Sequence, residues 1–380
     1  MENVTIISYP AARNDELLSL TEARSRYMIP FGGRFRVVDF TLRNSWALDA
    51  ESTIIYSNII DGLDEYITHH DRADSVTVVS EQFSDLQYCH DLIEEHDTSA
   101  YILYNGENPS IIDFSAIMKR FRASKADSLL FLIDINGKPS MANKLLVTRR
   151  RRLLKVIDRV LKEGHTAPNI FEMLMNFIIN SGVKRATYQA HYWPMKNVPD
   201  YFNSSREVIW NQEIFDLLYE EKIIQSGIES TGYAILGEEA RVSNSFISDY
   251  CSINGTVENS IIYPGVVIEE KAVIRDSIIL PFARIAPGAR ITRTVVDERT
   301  DRSPEDVYPN IGPYCNIGTD EESFKSNDYP RSLFNSISVI GKDCRIPERS
   351  NIGGACFVAS GLGEDFFSKK KYLYDGLSVV

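Results

Sequence analysis

The sequence lacks any apolar run of about eighteen or more residues, the length that a membrane-spanning helix needs. Cysteine is also scarce: the 380 residues contain five, with no Cys-x-x-Cys pair. The first residues have no basic segment ahead of an apolar run, so we expect no secretory signal. These absences exclude a disulfide-stabilised secreted domain and favour a cytoplasmic protein with reduced thiols.

Positive charge is low relative to negative charge. The chain has 41 Lys and Arg against 53 Asp and Glu, a net charge of −12 at pH 7, which opposes general attraction to nucleic acid or to an anionic membrane. Apolar residues make up 43% of the chain and charged residues 25%, which is typical of a globular protein. Because 380 residues exceed the size of one ordinary core, we expect two domains.

Residues 1–230 alternate short β-branched runs with amphipathic segments, the pattern of an α/β fold with a mostly parallel sheet. One predicted helix has Asp113 as a suitable N-cap, and its apolar residues recur on a single face. The predicted strands are Val4 to Ser8, Ser52 to Ser57, Val76 to Val79, Ala100 to Tyr104 and Ser128 to Ile133. The predicted helices are Asp39 to Leu48, Leu63 to His70, Ser84 to His96, Asp113 to Ser124 and Leu153 to Leu161. These elements predict a doubly wound, Rossmann-like domain.

From about residue 231 onward the spacing of the aliphatic residues changes. Ile262, Ile279 and Val296 are seventeen residues apart, and each interval divides into steps of six, six and five. A helix drifts away from a six-residue period, whereas three short strands per coil can point every sixth aliphatic side chain inward. The pattern predicts a parallel β-helix of hexapeptide repeats over residues 231–380, with these three side chains in one column.

A polar segment, residues 298–336, interrupts the repeat and is rich in Asp, Glu, Pro, Ser and Asn. The repeat then resumes at Ile340, Ile346, Ile352 and Val358. We predict that the segment is an excursion from the solenoid, and that Cys344 and Cys356 pack inside the core. A meander of antiparallel strands is the alternative, but a two-residue alternation would not reproduce a seventeen-residue register.

Residues 20–40 carry the string LTEARSRYMIPFGGRFRVVDF, with the spaced pattern Pro-Phe-Gly-Gly-x-x-Arg-x-x-Asp at its centre. This string closely resembles the glucose-1-phosphate adenylyltransferase family, and the similarity extends over nearly the whole chain, including residues 255–260. The resemblance implies a nucleotidyltransferase domain followed by a left-handed β-helix. It also implies transfer of adenylyl from ATP to glucose 1-phosphate, with release of pyrophosphate.

The phosphate-binding loop of that family has the form G-G-x-G-T-R-L and matches residues 11–17. All three glycines are absent here, and Asp15 and Glu16 replace the threonine and arginine. Glycine lets backbone N–H groups approach phosphate, and each carboxylate close to a triphosphate costs on the order of 4 kcal/mol. The comparison implies that this loop lacks the groups with which the family cradles a triphosphate, and it leaves open whether ATP still binds without turnover.

The family holds Mg²⁺ with two aspartates. The strings that match them have Glu107 at the first position and Met195, followed by Lys196, at the second. A thioether is a soft ligand and Mg²⁺ requires hard oxygen, so we expect no metal in this chain and Mg²⁺ only in a catalytic partner. The family's sugar-phosphate motif, F-x-E-K-P, is also absent, because residues 136–139 lack the glutamate.

The joint loss of these devices predicts that the chain has no catalytic residues. We expect a regulatory subunit that pairs with a catalytic glucose-1-phosphate adenylyltransferase subunit in a heterotetramer of glycogen biosynthesis. Arg24 and Arg26 are candidates for binding a phosphorylated small-molecule effector, because the resemblance places basic effector-binding residues in this stretch. Arg149 and Arg150, in a basic run, form a second candidate site. The alternative for Arg24 and Arg26 is a structural salt bridge, and the alternative for the basic run is a solvated entry to a helix.

Two further functions are open at this point. The chain could be an active sugar-phosphate nucleotidyltransferase that uses Glu107 as its single metal carboxylate. It could also be a hexapeptide acyltransferase, in which the solenoid carries the chemistry. That activity usually depends on a histidine in or near the solenoid, and the sequence has none after His191, which disfavours it.

Overall fold

The computed structural model describes residues 3–9, 16–57, 59, 61–80, 86–96, 98–135, 137–165, 170–227, 232–300, 308–367 and 372–380. In these ranges the chain forms a mixed α/β region with a Rossmann-like sheet, followed by a stack of short parallel strands. The predicted domain boundary between residues 230 and 231 lies outside the described residues and stays a prediction.

The N-terminal region is built on one mixed sheet. Its strands, four of which form two separate two-stranded sheets, are β1 (Val4–Tyr9), β2 (Pro30–Phe31), β3 (Phe35–Arg36), β4 (Ser52–Ser57), β5 (Val76–Ser80), β6 (Ala100–Asn105), β7 (Ser110–Ile112), β8 (Ser128–Ile135), β9 (Lys138–Arg149), β10 (Lys184–Tyr188) and β11 (Ala190–Tyr192). The main sheet of the described residues has the order β10-β8-β9-β6-β1-β4-β5. All five predicted strands are confirmed, and their ends differ from the predictions by at most two residues.

Helices cover both faces of this sheet. They are α1 (Val37–Leu48), α2 (Leu63–Ile67), α3 (Leu86–Glu95), α4 (Phe114–Ser124), α5 (Arg150–Glu163), α6 (Ile170–Asn180), α7 (Val198–Trp210) and α8 (Gln212–Phe215), with 3-10 turns at Leu18–Thr21, Arg26–Met28 and Ala73–Ser75 and a π-helical turn at Asp216–Glu220. Asp113 caps α4 as predicted, because its carboxylate accepts a hydrogen bond from the Ala116 N–H at 2.9 Å. Helix α2 was predicted to end at His70 but ends at Ile67. His70 lies beyond the helix, and its Nε2 is 3.1 Å from the Asp39 carboxylate.

Strand β9 was not predicted from the sequence. It runs antiparallel to both β6 and β8, and it forms a hairpin with β8 in which Ile135 pairs with Lys138. The first half of β9 is mostly exposed and carries Lys, Pro, Ser and Asn, so it lacks the alternation of apolar and polar residues that marks a strand. Residues 138–139, compared above with the sugar-phosphate motif, therefore lie in an exposed hairpin.

The C-terminal strands are short and numerous. They are β12 (Ile235–Leu236), β13 (Arg241–Ser243), β14 (Phe246–Ile247), β15 (Ser252–Ile253), β16 (Thr256–Glu258), β17 (Ile261–Ile262), β18 (Val267–Ile268), β19 (Val273–Arg275), β20 (Ile278–Ile279), β21 (Arg284–Ile285), β22 (Arg290–Thr292), β23 (Thr294–Val296), β24 (Asn316–Ile317), β25 (Ser338–Ile340), β26 (Asn351–Ile352), β27 (Phe357–Val358), β28 (Tyr372–Leu373) and β29 (Ser378–Val379), with a short helix α9 (Glu364–Phe367). Their orders in the described residues are β12-β15-β18-β21, β13-β16-β19-β22-β24-β26-β28 and β14-β17-β20-β23-β25-β27-β29. Three stacked parallel sheets of this kind are consistent with a β-helix.

The predicted inward column is confirmed. Ile262 pairs with Ile279, Ile279 pairs with Val296, and the column continues through Ile340 and Val358. Each of these side chains is at most 1% exposed, and burying one contributes about 1.5–3 kcal/mol. All five cysteines are free and buried, in agreement with the prediction of reduced core thiols.

The segment 298–336 differs from the prediction, because part of it belongs to the stack. Ile311 forms parallel bridges to Ile285 and Ile346, and β24 pairs with both β22 and β26. The chain then leaves the stack after β24 and returns at β25. This coil was not predicted because it contains a single six-residue step, from Ile311 to Ile317, and its other residues are mostly acidic and polar.

A ladder of hydroxyl groups runs along one corner of the solenoid and explains its repeated Asn-Ser and Asp-Ser strings. The Ser277 N–H donates to Ser260 Oγ at 3.0 Å, and the Thr294 N–H donates to Ser277 Oγ at 3.2 Å. Asn259 and Asp276, just before the serines, have φ of +48° and +43°, a conformation that Asn and Asp tolerate better than most residues. The strings therefore turn the chain and satisfy buried backbone groups at the same corner.

We expect Ser277→Ala to lower the free energy of unfolding by about 1–3 kcal/mol, because Ser277 is fully buried and its loss leaves the Thr294 N–H without its acceptor. Urea denaturation followed by circular dichroism measures the change. Ser115→Ala, on the exposed face of α4, is the matched control and should alter stability by less than about 0.5 kcal/mol. Equal stability of the two variants would show that the ladder contributes little.

Candidate functional site

The N-terminal region and the solenoid share one hydrophobic core. Outward-facing side chains of the solenoid, Ile261, Ile278 and Val295, belong to the same buried cluster as Phe31 and Trp193 of the N-terminal region. The rings of Phe31 and Trp193 have centroids 5.7 Å apart. Met195 belongs to this common layer, and Arg24 is buried where the two regions meet.

Met195 lies inside this core. Its side chain is 0% exposed and belongs to the same cluster as Trp193. Its main chain is held from two sides, because its N–H donates to Asn108 Oδ1 at 3.0 Å and its carbonyl accepts from Arg26 Nη1 at 3.1 Å. A core side chain therefore occupies the position that the resemblance assigns to a metal aspartate.

Glu107 follows β6, at the carboxyl end of the sheet, where Rossmann-like folds bind ligands. It is 3% exposed, and its N–H donates to Asn105 Oδ1 at 2.9 Å. Gly106 lies so close to Ser8 that a Cβ added there would fall 2.1 Å from the Ser8 hydroxyl oxygen. The hydroxyls of Ser8 and the buried Tyr27 are 2.7 Å apart, and burial together with the charge of Glu107 raises the pKa of Tyr27 well above its usual value. Glu107 is thus an enclosed carboxylate beside a phenol that stays protonated.

The described residues do not fit a Mg²⁺ ion held by positions 107 and 195, because only Glu107 offers oxygen and Met195 offers a buried sulfur. Asp15 lies outside the described residues, and Glu16 is half-buried in the turn before the first 3-10 segment. In the described part of the chain, no three His, Cys, Asp or Glu side chains group closely enough to hold a metal ion. No helix in that part is long and apolar enough to cross a bilayer.

The basic run at the start of α5 makes structural contacts. The Arg149 guanidinium lies over the Phe121 ring, 5.1 Å from its centroid. Arg150 donates to the carbonyls of Ile93 at 3.1 Å and Glu94 at 2.7 Å. These contacts hold both arginines against the N-terminal region, which differs from a solvated entry to a helix, and effector binding there stays a prediction.

Arg24 is buried where the N-terminal region meets the solenoid. It is 2% exposed, and its guanidinium forms ion pairs with Asp297 and with Glu298, the latter at 3.4 Å. Burial by itself would lower the pKa of Arg24, but the two carboxylates more than offset it, so that the pKa is raised. The Ser19 hydroxyl also donates to Asp297 at 3.3 Å. An unpaired buried charge would be costly, which explains why these partners surround Arg24.

The carboxylate of Glu298 forms ion pairs with three cationic side chains. It lies 3.4 Å from Arg24, 3.4 Å from Arg36 and 3.2 Å from Lys342. Burial by itself would raise the pKa of Glu298, but the three positive charges lower it to about 2. The carboxylate is therefore ionised at neutral pH. We refer to Arg24, Arg36 and Lys342 as the cationic triangle.

A cavity of about 720 Å³ opens beside the cationic triangle, between the N-terminal region and the solenoid. Its lining also includes Arg299, Glu65 and the ring of Phe282. Arg24 was identified from the sequence and lines this cavity, whereas Arg26 instead donates to the Met195 carbonyl. No local sequence pattern marks Arg299 or Lys342 as cavity residues, since only the fold brings them to the cavity.

A buried polar group supports one wall of the cavity. Asp39 accepts hydrogen bonds from the Tyr66 hydroxyl at 3.0 Å and from the Arg36 N–H at 2.9 Å, and His70 Nε2 lies 3.1 Å from it. The Gly227 N–H donates to the Tyr66 hydroxyl at 3.1 Å. Burial by itself would lower the pKa of His70, but the hydrogen bond and charge of Asp39 outweigh it, so that the pKa is raised.

The raised pKa gives His70 a pH-dependent effect on stability. Its contribution is fully present below about pH 6.5, the unfolded value, and is lost as pH rises through the higher folded value. We therefore expect the stability difference between the wild type and His70→Gln to be largest near about pH 5.5 and smaller near about pH 8.5. Urea unfolding across this range measures it, with the exposed neighbour variant His69→Gln as the control. A difference that does not change with pH would contradict the ion pair.

Comparison with known proteins finds two kinds of similarity. Residues 234–328 match the sequence profile of the family described as GlmU-like, C-terminal hexapeptide. A glucose-1-phosphate adenylyltransferase of Desulfitobacterium hafniense (strain Y51) is 24% identical over 272 residues, 68% of this chain and 64% of the relative, which is just under two thirds of its length. Proteins of the same name from Fervidobacterium nodosum and Bacillus thuringiensis are 23% identical over 416 residues (93% of this chain, 94% of the relative) and 20% identical over 348 residues (75% and 89%). The chain is thus similar, at low sequence identity, to proteins named glucose-1-phosphate adenylyltransferase and, over residues 234–328, to a GlmU-like hexapeptide family.

Proposed function

We propose that this chain is a regulatory subunit, without catalytic activity of its own, of a cytoplasmic glucose-1-phosphate adenylyltransferase in glycogen biosynthesis. The observation that carries the proposal is the full burial of Met195 at the position of a metal carboxylate. Adenylyl transfer requires a cation that stabilises charge on both phosphates, and a sulfur buried in an apolar core supplies no hard oxygen ligand for it. In this proposal Mg²⁺ belongs to the catalytic partner.

The sequence of the phosphate loop supports the same conclusion. Residues 11–17 lack the three glycines, and Asp15 and Glu16 bring negative charge where the resemblance expects a cation. Backbone N–H groups cannot form a close phosphate cradle where side chains replace glycine. We also propose that the solenoid is a left-handed β-helix, supported by the hexapeptide family match over residues 234–328.

One observation favours the alternative of an active nucleotidyltransferase. Glu107 stands at the carboxyl end of β6, which is where a metal carboxylate would be needed in a Rossmann-like fold. This alternative predicts pyrophosphate release from ATP and glucose 1-phosphate by the chain alone. The hexapeptide acyltransferase has no comparable support, since the solenoid sequence contains no histidine.

We expect no measurable pyrophosphate release by the purified chain at ordinary Mg²⁺ concentrations. Met195→Asp should not restore activity, and it should lower the free energy of unfolding by about 3 kcal/mol or more, because it places a carboxylate in an apolar core. Met195→Leu conserves volume and should cost less than about 1.5 kcal/mol. Robust turnover by the wild-type chain would refute the proposal and support the Glu107 enzyme.

The first coil of the solenoid supports assembly with a related subunit. Strands β12, β13 and β14 stand at the edges of their sheets in the described residues. Tyr233, Ile235 and Leu236 are 88%, 68% and 56% exposed. Unpaired strand edges with exposed apolar side chains readily pair with another β-edge. We infer that this coil contacts the catalytic subunit in a heterotetramer.

Co-expression with the catalytic paralogue should yield one complex that elutes ahead of either chain in size-exclusion chromatography. Leu236→Lys should reduce the amount of complex, because it places a charge on the exposed edge. Ile135→Lys, at an exposed apolar position of the N-terminal hairpin, is the matched control and should leave the complex intact. If the wild-type chains elute separately, and mixing leaves the partner's kinetics unchanged, the regulatory proposal fails.

We infer that a phosphorylated small-molecule effector binds in the 720 Å³ cavity. The cavity collects Arg24, Arg36, Arg299 and Lys342 from both regions of the chain, and guanidinium groups bind phosphate with two parallel hydrogen bonds. A ligand there would contact the N-terminal region and the solenoid together. Its binding could therefore favour one arrangement of the two regions, which is what regulation of a partner requires.

A further inference from the structure

The cationic triangle already holds an anion that belongs to the same chain. Arg24 and Arg36 come from the N-terminal region, Lys342 comes from the solenoid, and the carboxylate of Glu298 contacts all three within 3.4 Å. Three cations converging on one group of oxygens is the arrangement that proteins use for phosphate. Glu298 thus occupies the position in which a phosphate group of a ligand would be held.

The neighbouring groups show why Glu298 is the exchangeable carboxylate. Asp297 is 0% exposed, pairs with Arg24 and also accepts from Ser19, so it neutralises Arg24 from the closed side. Glu298 is then the counter-ion of Arg36 and Lys342, and its side chain is 13% exposed at the cavity wall. The single negative charge of Glu298 thus faces the two positive charges of Arg36 and Lys342, and a ligand with a higher negative charge would neutralise them more fully.

The backbone around Glu298 is held while its side chain borders open space. The Asp297 N–H donates to the Ile340 carbonyl at 2.9 Å, and the Arg299 N–H donates to the Pro281 carbonyl at 3.0 Å. Glu298 lies between these two anchored residues. Withdrawal of its carboxylate therefore requires rotation of side-chain bonds toward the cavity and no rearrangement of the solenoid.

We propose that Glu298 is a tethered competitor: its carboxylate fills the cationic triangle, and a phosphate monoester binds there only after Glu298 has rotated away. This inference rests on the effector cavity proposed above and adds a regulatory contact within it. The apparent affinity of the cavity for phosphate is reduced by the fraction of molecules in which the triangle is free. The isolated wild-type chain should accordingly bind phosphate weakly.

The test measures binding of inorganic phosphate to the isolated full-length chain by isothermal titration calorimetry at neutral pH. Glu298→Gln removes the competing charge with little change in size, and we expect phosphate to bind at least about tenfold more tightly than to the wild type. Glu258→Gln is the matched control. It removes the same charge from a largely exposed ion pair with Arg275 on the solenoid, and it should not change phosphate binding.

A second variant locates the site. Adding Lys342→Gln to Glu298→Gln should abolish the gain, because it removes one corner of the cationic triangle. If Glu298→Gln is too unstable for calorimetry, Glu298→Asp keeps the charge and shortens its reach. A higher melting temperature of the Glu298→Asp variant in phosphate than in chloride, at equal ionic strength, would then support the proposal.

Equal phosphate affinity of the wild type, Glu298→Gln and Glu258→Gln would overturn the inference, as would a gain that survives Lys342→Gln. For Glu298→Asp, equal melting temperatures in phosphate and chloride would do the same. The measurements need neither the catalytic partner nor turnover. A negative result in these binding measurements can therefore be told apart from a failure of the proposed regulatory function, because that function is tested by activity and co-elution measurements.

Discussion

The rest of the structure depends on the apolar layer that the solenoid shares with the N-terminal region. In most strands of a solenoid one residue points inward and its neighbour faces solvent, but β17, β20 and β23 are buried on both sides. Their aliphatic doublets, such as Ile261-Ile262 and Ile278-Ile279, belong to a sheet that has the solenoid core on one face and the N-terminal region on the other. This closely packed layer holds the two regions against each other, and their contact creates the cavity and positions its charges.

Polar groups at the edge of this layer are paired because burial makes an unpaired charge costly. Arg24 and Asp297 pair inside the junction, and Glu298 joins the cationic triangle at its rim. The same principle explains the Asp39 group below the cavity, where Tyr66 and His70 surround a buried carboxylate. Paired charges therefore lie on two sides of the cavity, and an anion that enters the cationic triangle must compete with the carboxylate of Glu298.

Much of the fold could be predicted from the sequence, because its signals are local or periodic. The seventeen-residue spacing of Ile262, Ile279 and Val296 reports the coil length directly, and the five strands that were predicted, of the seven in the main sheet, are short β-branched runs. Strand β9 was missed because its first half is exposed and polar. The cavity could not be predicted, since Arg36 and Lys342 are distant in sequence and meet only after the solenoid has packed on the sheet. The sequence identified Met195 as an unsuitable ligand, but its full burial depends on long-range packing.

The string around Pro30-Phe31-Gly32-Gly33 can be explained without catalysis. Gly33 has φ of +93°, and a Cβ added there would lie 2.5 Å from the ring of Phe246 in the first solenoid coil, so glycine is required for docking. The adjoining stretch supplies Arg24 to the cationic triangle and Arg26 to the Met195 carbonyl. One continuous segment therefore contacts the solenoid, the cavity and the main chain of Met195. A chain that had lost adenylyl transfer would still need this segment to hold its two regions together, which is the geometric basis for a subunit that acts through binding.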